Sequence, residues 1–473
     1  MNRNKLYYIA LLVIFLEGYI VLASELIAIR LLAANLSGTT DVISVVISAV
    51  LLPLAFGYYY GGKFSQQNGQ NSIRKKLVSN FVNALICLSI AFNYILITIF
   101  FAAVNTIFKN HYIISTLIYC GIFLVYPVFL LGQTIPLISN YFLKHNLSSI
   151  SGKILFFSTI GSLCGSLVST LLLMPIIGLN NTIISTIFLT IIMIFILDKR
   201  SNISNKIICV VCGIVIVFSN SADFMKTLNI VKDNEYHTIK ILEKPSDDNK
   251  EKTLYFAANN AAYSILHFKN DKVVSSAAYI EYAEQFLKKD PRNPQDVLVL
   301  GAGGFAFGVN DKINNYTYVD IDKDLKEVAE KHFLNKALDE NKKFEVISAR
   351  LFAKNSDKKY DYILLDTFSG INVPQQLITV EFFNELKSIM KDDGIIVVNM
   401  ITSLYFKNTF SKKFDNVVRS VFPHYYVTPV TQPNAKNQLF TNDNMNILYV
   451  IKDLDVYTAE KYTDDKSEYY LDK

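Results

Sequence analysis

Ahead of residue 225 this sequence consists largely of apolar runs of membrane-crossing length, and that limits its fold more than any other feature. In hydrocarbon every backbone N–H and C=O needs an internal partner, so runs of this kind form helices packed on one another. One crossing takes about 20 mostly apolar residues. Windows at 6–28, 42–61, 78–104, 112–134, 154–176 and 181–197 meet or approach that length, and 207–224 is a weaker seventh. The first window has no small-residue cleavage site and is interrupted by Glu17 and Glu25, so a retained helix is expected and not a removable signal.

Basic residues order these windows. Arg3 and Lys5, then Lys63, Arg74, Lys75 and Lys76, then Lys144 and Lys153, then Lys199, Arg200 and Lys206 all fall in connections on one side, which the positive-inside tendency makes cytoplasmic. Seven spans would place the remainder of the chain outside the cell and six or eight would keep it inside, so sidedness stays open. Glu25 and Arg30 are expected to pair near the interface, with Glu17 protonated or on a polar partner. Gly161 and Gly165, four residues apart, offer a face for close helix packing.

The second half is a different material, mixing Lys, Asp, Glu and Asn with short apolar runs. All five cysteines lie in the apolar half, so the second half has no thiol nucleophile and no disulfide. The net charge of +5 over 473 residues is small and scattered, without the basic stripe of a nucleic-acid binder. Alternating segments at 237–243, 253–257 and 263–268 predict a small antiparallel β region. A helix at 277–288 follows, then strand 297–300, helix 306–312, strand 316–320, helix 323–338, strands 344–347 and 361–365, helix 379–391 and strand 394–399. That alternation predicts a doubly wound parallel sheet, whose ligands bind beyond the carboxyl ends of the strands.

Within this sheet the strand Val297–Leu300 runs into Gly301-Ala302-Gly303-Gly304. Glycines there let a ligand lie against the main chain. Asp320 ends the next strand, where a carboxylate accepts hydrogen bonds from both ribose hydroxyls. Ser348 and Asp366 end later strands, and Asp366 at the crevice mouth can take a proton from an attacking amine or hold a cation. The six histidines show no metal-ligand spacing, so no metal site is expected.

These residues resemble the spermidine synthase family, the polyamine aminopropyltransferases, and especially its membrane-fused bacterial branch. The resemblance is carried by Tyr236-His237-Thr238-Ile239, Leu254-Tyr255-Phe256, the glycine turn, Tyr318-Val319-Asp320-Ile321-Asp322, Ser348-Ala349-Arg350, Asp361 through Asp366, and Leu377 through Phe383. In the apolar half it is carried by Ala23 through Arg30 and by Gly57 through Gly62. It implies a polytopic α-helical membrane domain at 1–225, with about seven transmembrane helices, followed by a Rossmann-like, methyltransferase-type α/β domain at 226–473. It also implies transfer of an aminopropyl group from decarboxylated S-adenosylmethionine, a co-substrate and not a prosthetic group, to a diamine such as putrescine. Gly301, Gly303, Asp320 and Ser348 would then hold the donor, Asp366 would be the catalytic base, and Tyr236, Tyr279 and Ser369 would meet the acceptor. The expected partners are the lipid bilayer and an amine acceptor, with a homodimer implied by soluble members alone.

Several family carboxylates are replaced. Ser369 stands three residues after Asp366 where a second Asp is usual, Ser348 stands for an Asp before Ala-Arg, and Gly304 stands for an Asp in the turn. Two alternatives therefore stay beside the aminopropyltransferase: an S-adenosyl-dependent transferase with another acceptor, or a non-catalytic sensor domain regulating a membrane transporter.

Overall fold

The computed structural model describes the chain apart from residues 1–2, 37–39, 109–110, 142–146, 199–201, 246–250, 260, 368–373, 403–405, 407, 431–444 and 453–473. The chain divides into two compact units, residues 1–242 with 257–262, and residues 243–256 with 263–473.

The first unit is helical. Helices α1 (Arg3–Asn35), α2 (Thr40–Gln67), α3 (Gln70–Ala91) and α4 (Tyr94–Phe108) are followed by α5 (Tyr112–Tyr119), α6 (Val125–Gly132) and α7 (Thr134–Tyr141). Then come α8 (Leu147–Leu167), α9 (Met174–Leu197), α10 (Ile203–Ser219) and the short α11 (Ala222–Thr227). Among the described residues four runs are long and apolar enough to cross a membrane, or five if the bent pair α3 and α4 counts as one. That pair turns through 61° where Asn93 Oδ1 accepts from the N–H groups of Ile95 and Leu96, starting a new helix inside the expected 78–104 window. The run Ile150–Leu197 has 48 residues. Straight, it would be about 70 Å long, over twice the thickness of a bilayer core. Gly178, with φ +82°, breaks it between the expected windows 154–176 and 181–197. Helix α8 lies close on α1 because Gly161 and Gly165 have no Cβ to collide with the Phe15 and Tyr19 carbonyl oxygens.

One expectation for this unit is corrected. Arg30 does not pair with Glu25. Its Nη2 lies 3.2 Å from Asp233 Oδ1 and its Nε donates to the Asn234 carbonyl at 2.8 Å. Asp233 also accepts from the Tyr94 hydroxyl and, at 2.9 Å, from Thr238 Oγ1. Five residues along a helix is a rotation of about 140°, so Glu25 and Arg30 face different neighbours.

Strands β1 (Ile230–Asp233), β2 (Thr238–Pro245), β3 (Glu251–Ala258), β4 (Ala261–Lys269) and β5 (Lys272–Ser276) form a five-stranded sheet in chain order. The three expected strands are present, and β1 and β5 are additional.

The second unit includes α12 (Ala278–Glu284), β6 (Asp296–Leu300), β7 (Asn315–Asp320), α13 (Leu325–His332), β8 (Lys342–Val346), α14 (Ala349–Asn355) and β9 (Tyr360–Leu365). After these come α15 (Val380–Ser388), β10 (Met390–Thr402), α16 (Thr409–Val421), β11 (Tyr425–Val430) and β12 (Met445–Lys452). The seven-stranded sheet has the order β11-β12-β10-β9-β6-β7-β8. Strands β10, β9, β6, β7 and β8 are parallel, as expected, whereas β12 is antiparallel to β10 and β11 to β12, so the complete sheet is mixed. Leu298, Ile363, Ile396, Phe382, Phe383 and Phe414 fill the core between this sheet and its helices.

The expected helix at 306–312 does not form, and those residues make turns. Phe305 has φ +59° and Gly308 has φ +70°, and a Cβ on Gly308 would run into the Tyr316 ring. Gly308 falls inside the expected helix, whose interior does not accommodate a left-handed residue, and Phe305 is left-handed at its start.

Candidate functional site

The sheet order reverses between β6 and β9, the topological switch point at which open α/β sheets bind ligands. Leu300 is in register with both Val319 and Leu365, so the residues that follow these three strands come out side by side. Gly301 and Asp366 flank the switch point, and Asp320 is one strand away.

Gly301 has φ +95°, and a Cβ there would overlap the Asp366 carbonyl oxygen, so this position needs glycine on two counts. The Asp366 N–H donates to the Leu300 carbonyl at 2.8 Å, and the Gly301 N–H donates to the Val319 carbonyl at 2.9 Å. Beyond Gly301 the turn is held by the Ala302 N–H on Asp320 Oδ2 (3.0 Å) and the Gly304 N–H on Ser264 Oγ (3.0 Å). Asp320 Oδ1 accepts from the Asp322 N–H at 3.1 Å. The turn and Asp320 are thus one hydrogen-bonded element, and no helix N-terminus follows it to recruit a phosphate.

Asp366 is the centre of the polar cluster. Tyr279 on α12 donates its hydroxyl to Asp366 Oδ2 at 2.9 Å, and Asn399 on β10 donates Nδ2 to Asp366 Oδ1 at 2.8 Å. Burial pushes the Asp366 carboxyl above its usual range, partly offset by those two hydrogen bonds. Burial and the neighbouring Asp366 push the Tyr279 phenol far up, so it remains a donor. Among the described residues no Lys, Arg or His forms an ion pair with Asp366. Asn399 Oδ1 and Thr367 Oγ1, both buried, have no hydrogen-bond partner, and the first belongs to the amide that binds the carboxylate.

The other expected site residues are placed as follows. The Ser348 hydroxyl caps α14, accepting from the Leu351 N–H at 3.3 Å. Gly303, with φ +49°, lies against Ser264 in the turn. Tyr236 belongs to the first unit, where its N–H donates to Asn234 Oδ1 at 2.9 Å. Ser369 lies outside the described residues. Asn399 and Thr367 were not anticipated. The signal for Asn399 was available, as a single amide within the apolar run Ile395–Ile401, and its meaning depends on β10 lying beside β9 with Val398 opposite Leu365.

Fold and site together define a Rossmann-like α/β unit with a carboxylate held by neutral donors at its switch point. Residues 277–445 match the family model for the spermine/spermidine synthase domain. The chain is 28% identical over 158 residues to a polyamine aminopropyltransferase from Vibrio vulnificus, an alignment covering 31% of this chain and 50% of that one. It is also 28% identical over 156 residues to an N-terminal histidine N-methyltransferase from Emericella nidulans, covering 32% and 27%. A crystal structure of a probable spermidine synthase from Corynebacterium glutamicum aligns at 19% identity with a TM-score of 0.38, covering 50% of this chain and 82% of that one. The chain spans half or less of the length of these two curated relatives. The α/β unit is thus similar to the spermine/spermidine synthase domain over residues 277–445.

Proposed function

We propose that this protein is a membrane-anchored aminopropyltransferase that uses decarboxylated S-adenosylmethionine as donor and a primary amine, putrescine being the first candidate, as acceptor. The observation that carries the reading is Asp366, held at the switch point by Tyr279 and Asn399 with no counter-cation among the described residues. The acceptor nitrogen attacks the carbon next to the donor sulfonium, and the C–S bond breaks with its electron pair leaving on sulfur as a neutral thioether. The nitrogen gives up one proton, which Asp366 takes as general base. A sulfonium is already a good leaving group, so the chain mainly has to place an unprotonated amine in line with it. Asp320 and the glycine turn suit the adenosyl ribose, while Asn399 Oδ1 and Thr367 Oγ1 suit the remaining N–H groups of the amine.

The anchor is the helical unit. Its support is the four apolar runs, the one-sided basic connections, and large hydrophobic side chains turned outward, among them Leu51, Leu52, Phe56, Ile99 and Leu171, each at least half exposed. The test is release of methylthioadenosine by the purified full chain given decarboxylated S-adenosylmethionine, with putrescine and with no amine. Putrescine-dependent release is expected. Binding of the donor with no release on any of a panel of primary amines would remove the transferase reading and favour a sensor.

A further inference from the structure

We propose that the α/β unit works outside the cytoplasm, on the side of the membrane opposite the basic connections, and that α10 is a seventh crossing. The inference rests on the helical unit being the membrane anchor and is independent of the transferase chemistry. Arg3 opens α1, and Arg30 lies about 40 Å further along its axis, more than the roughly 30 Å of a bilayer core, so the two belong to opposite faces. Helix α8 runs parallel to α1, with Gly161 against Phe15 and Gly165 against Tyr19, and its Lys153 lies over the Tyr7 ring at 5.7 Å, near the Arg3 end. Helix α9 crosses the other way. Its Gly178 lies against the Asp233 carbonyl oxygen, and at its far end the Leu197 carbonyl accepts from Arg74 Nη2 at 2.6 Å. Helix α3 leads back from Arg74 to Phe92, just ahead of Tyr94, which donates to Asp233. Helix α10 follows the same course. It starts where Asn205 donates to Asp198 Oδ2 at 2.9 Å, and beyond its end Asn220 Nδ2 donates to the Phe92 carbonyl at 3.4 Å. Helix α4 adds no crossing, because the run Tyr112–Ser139 after it is parallel to α2, with Gly57 against Phe129 and Gly61 against Gln133, and so departs from the same end.

One end of the bundle therefore carries Arg3, Arg74 and Lys153, and the other carries Arg30, Tyr94 and Gly178, gathered round Asp233. The positive-inside tendency makes the first end cytoplasmic. Arg30 does not count against it, since Asp233 neutralises its charge at 3.2 Å. Strand β2 leaves from the second end, where Thr238 Oγ1 donates to Asp233 at 2.9 Å. From residue 243 onward no apolar run approaches 20 residues, so the chain does not recross. Asp366 accordingly meets solutes of the extracytoplasmic side, and the donor and amine of the proposed reaction are drawn from there.

The experiment labels the full chain in bacterial spheroplasts with a charged maleimide that does not cross membranes. The α/β unit has no cysteine, and the five native thiols are buried or half-buried in the helical unit, so the parent is the blank. Lys359→Cys puts an exposed thiol on the α/β unit, and Asn71→Cys puts one at the basic end. Lys359→Cys should react fully before lysis with no gain after it, and Asn71→Cys should react only after lysis. If Lys359→Cys does not accumulate, Lys354→Cys, at another exposed position, takes its place. An α/β thiol that reacts only after lysis, or the same behaviour at both ends, overturns the assignment. Alkaline carbonate extraction separates this failure from that of the anchor: chain released to the supernatant removes anchor and sidedness together, whereas membrane-bound chain with the wrong labelling removes the sidedness alone.

Discussion

The two units bury a carboxylate in opposite ways. In the helical unit Asp233 faces the Arg30 guanidinium and accepts from Tyr94 and Thr238, so its charge is neutralised and its oxygens are filled. In the α/β unit Asp366 receives, among the described residues, the neutral donors Tyr279 and Asn399 alone. The first arrangement fixes a junction between helix and strand and leaves no acid or base to act. The second keeps a carboxylate oriented while its charge stays uncompensated, which is costly for stability and useful for taking a proton from a cationic substrate.

The largest effect should come from breaking the compensated pair. Asp233→Ala leaves Arg30 buried without its counter-charge and is expected to cost about 3–5 kcal/mol in thermal or denaturant unfolding of the detergent-solubilised chain. A loss of about 1 kcal/mol or less would place the pair with ordinary surface ion pairs and remove the contrast. Asn399→Ala tests the uncompensated side. The Asn399 hydrogen bond lowers the Asp366 pKa, so its removal raises it, and a base must be ionised to act. The acidic limb of the pH–kcat/KM profile should therefore move to higher pH, with a drop of about tenfold on that limb for one lost hydrogen bond to a charged group. An unshifted profile with a uniformly lower rate would make Asn399 a packing residue. Ser348→Ala is the smallest change, about 1 kcal/mol of stability for a lost helix cap, and Ser348→Asp should retain the cap. Equal stability of Ser348→Ala and parent would show that the hydroxyl does not cap α14.

Much of this was legible beforehand because it rests on local pattern. The strands that end at Asp320 and Asp366 were apparent as short apolar runs stopped by a carboxylate, and the glycine turn by composition alone. The helix expected at 306–312 failed because its apolar residues lie against the Tyr316 and Tyr318 rings in a turn conformation, and tertiary packing overrode the helical spacing. Helices α14 and α16 and strands β11 and β12 were not read. The pairing of β12 with β10 runs from Ile395–Lys452 to Thr402–Met445, joining segments tens of residues apart that periodicity does not relate. The Arg30–Asp233 pair was missed for the same reason, since its partners are 203 residues apart.

The central claim is that Asp366 is a base maintained at the expense of stability, and Asp366→Asn in the full chain tests it directly. Because burial raises its folded pKa above the unfolded value, the carboxyl's favourable contribution is complete below the unfolded pKa and disappears as pH rises through the folded one. Relative to the parent, the Asn variant should therefore become more stable across that interval, while methylthioadenosine release falls by about 100-fold or more. Release at the parent's rate, or a variant less stable than the parent at every pH, would contradict the account.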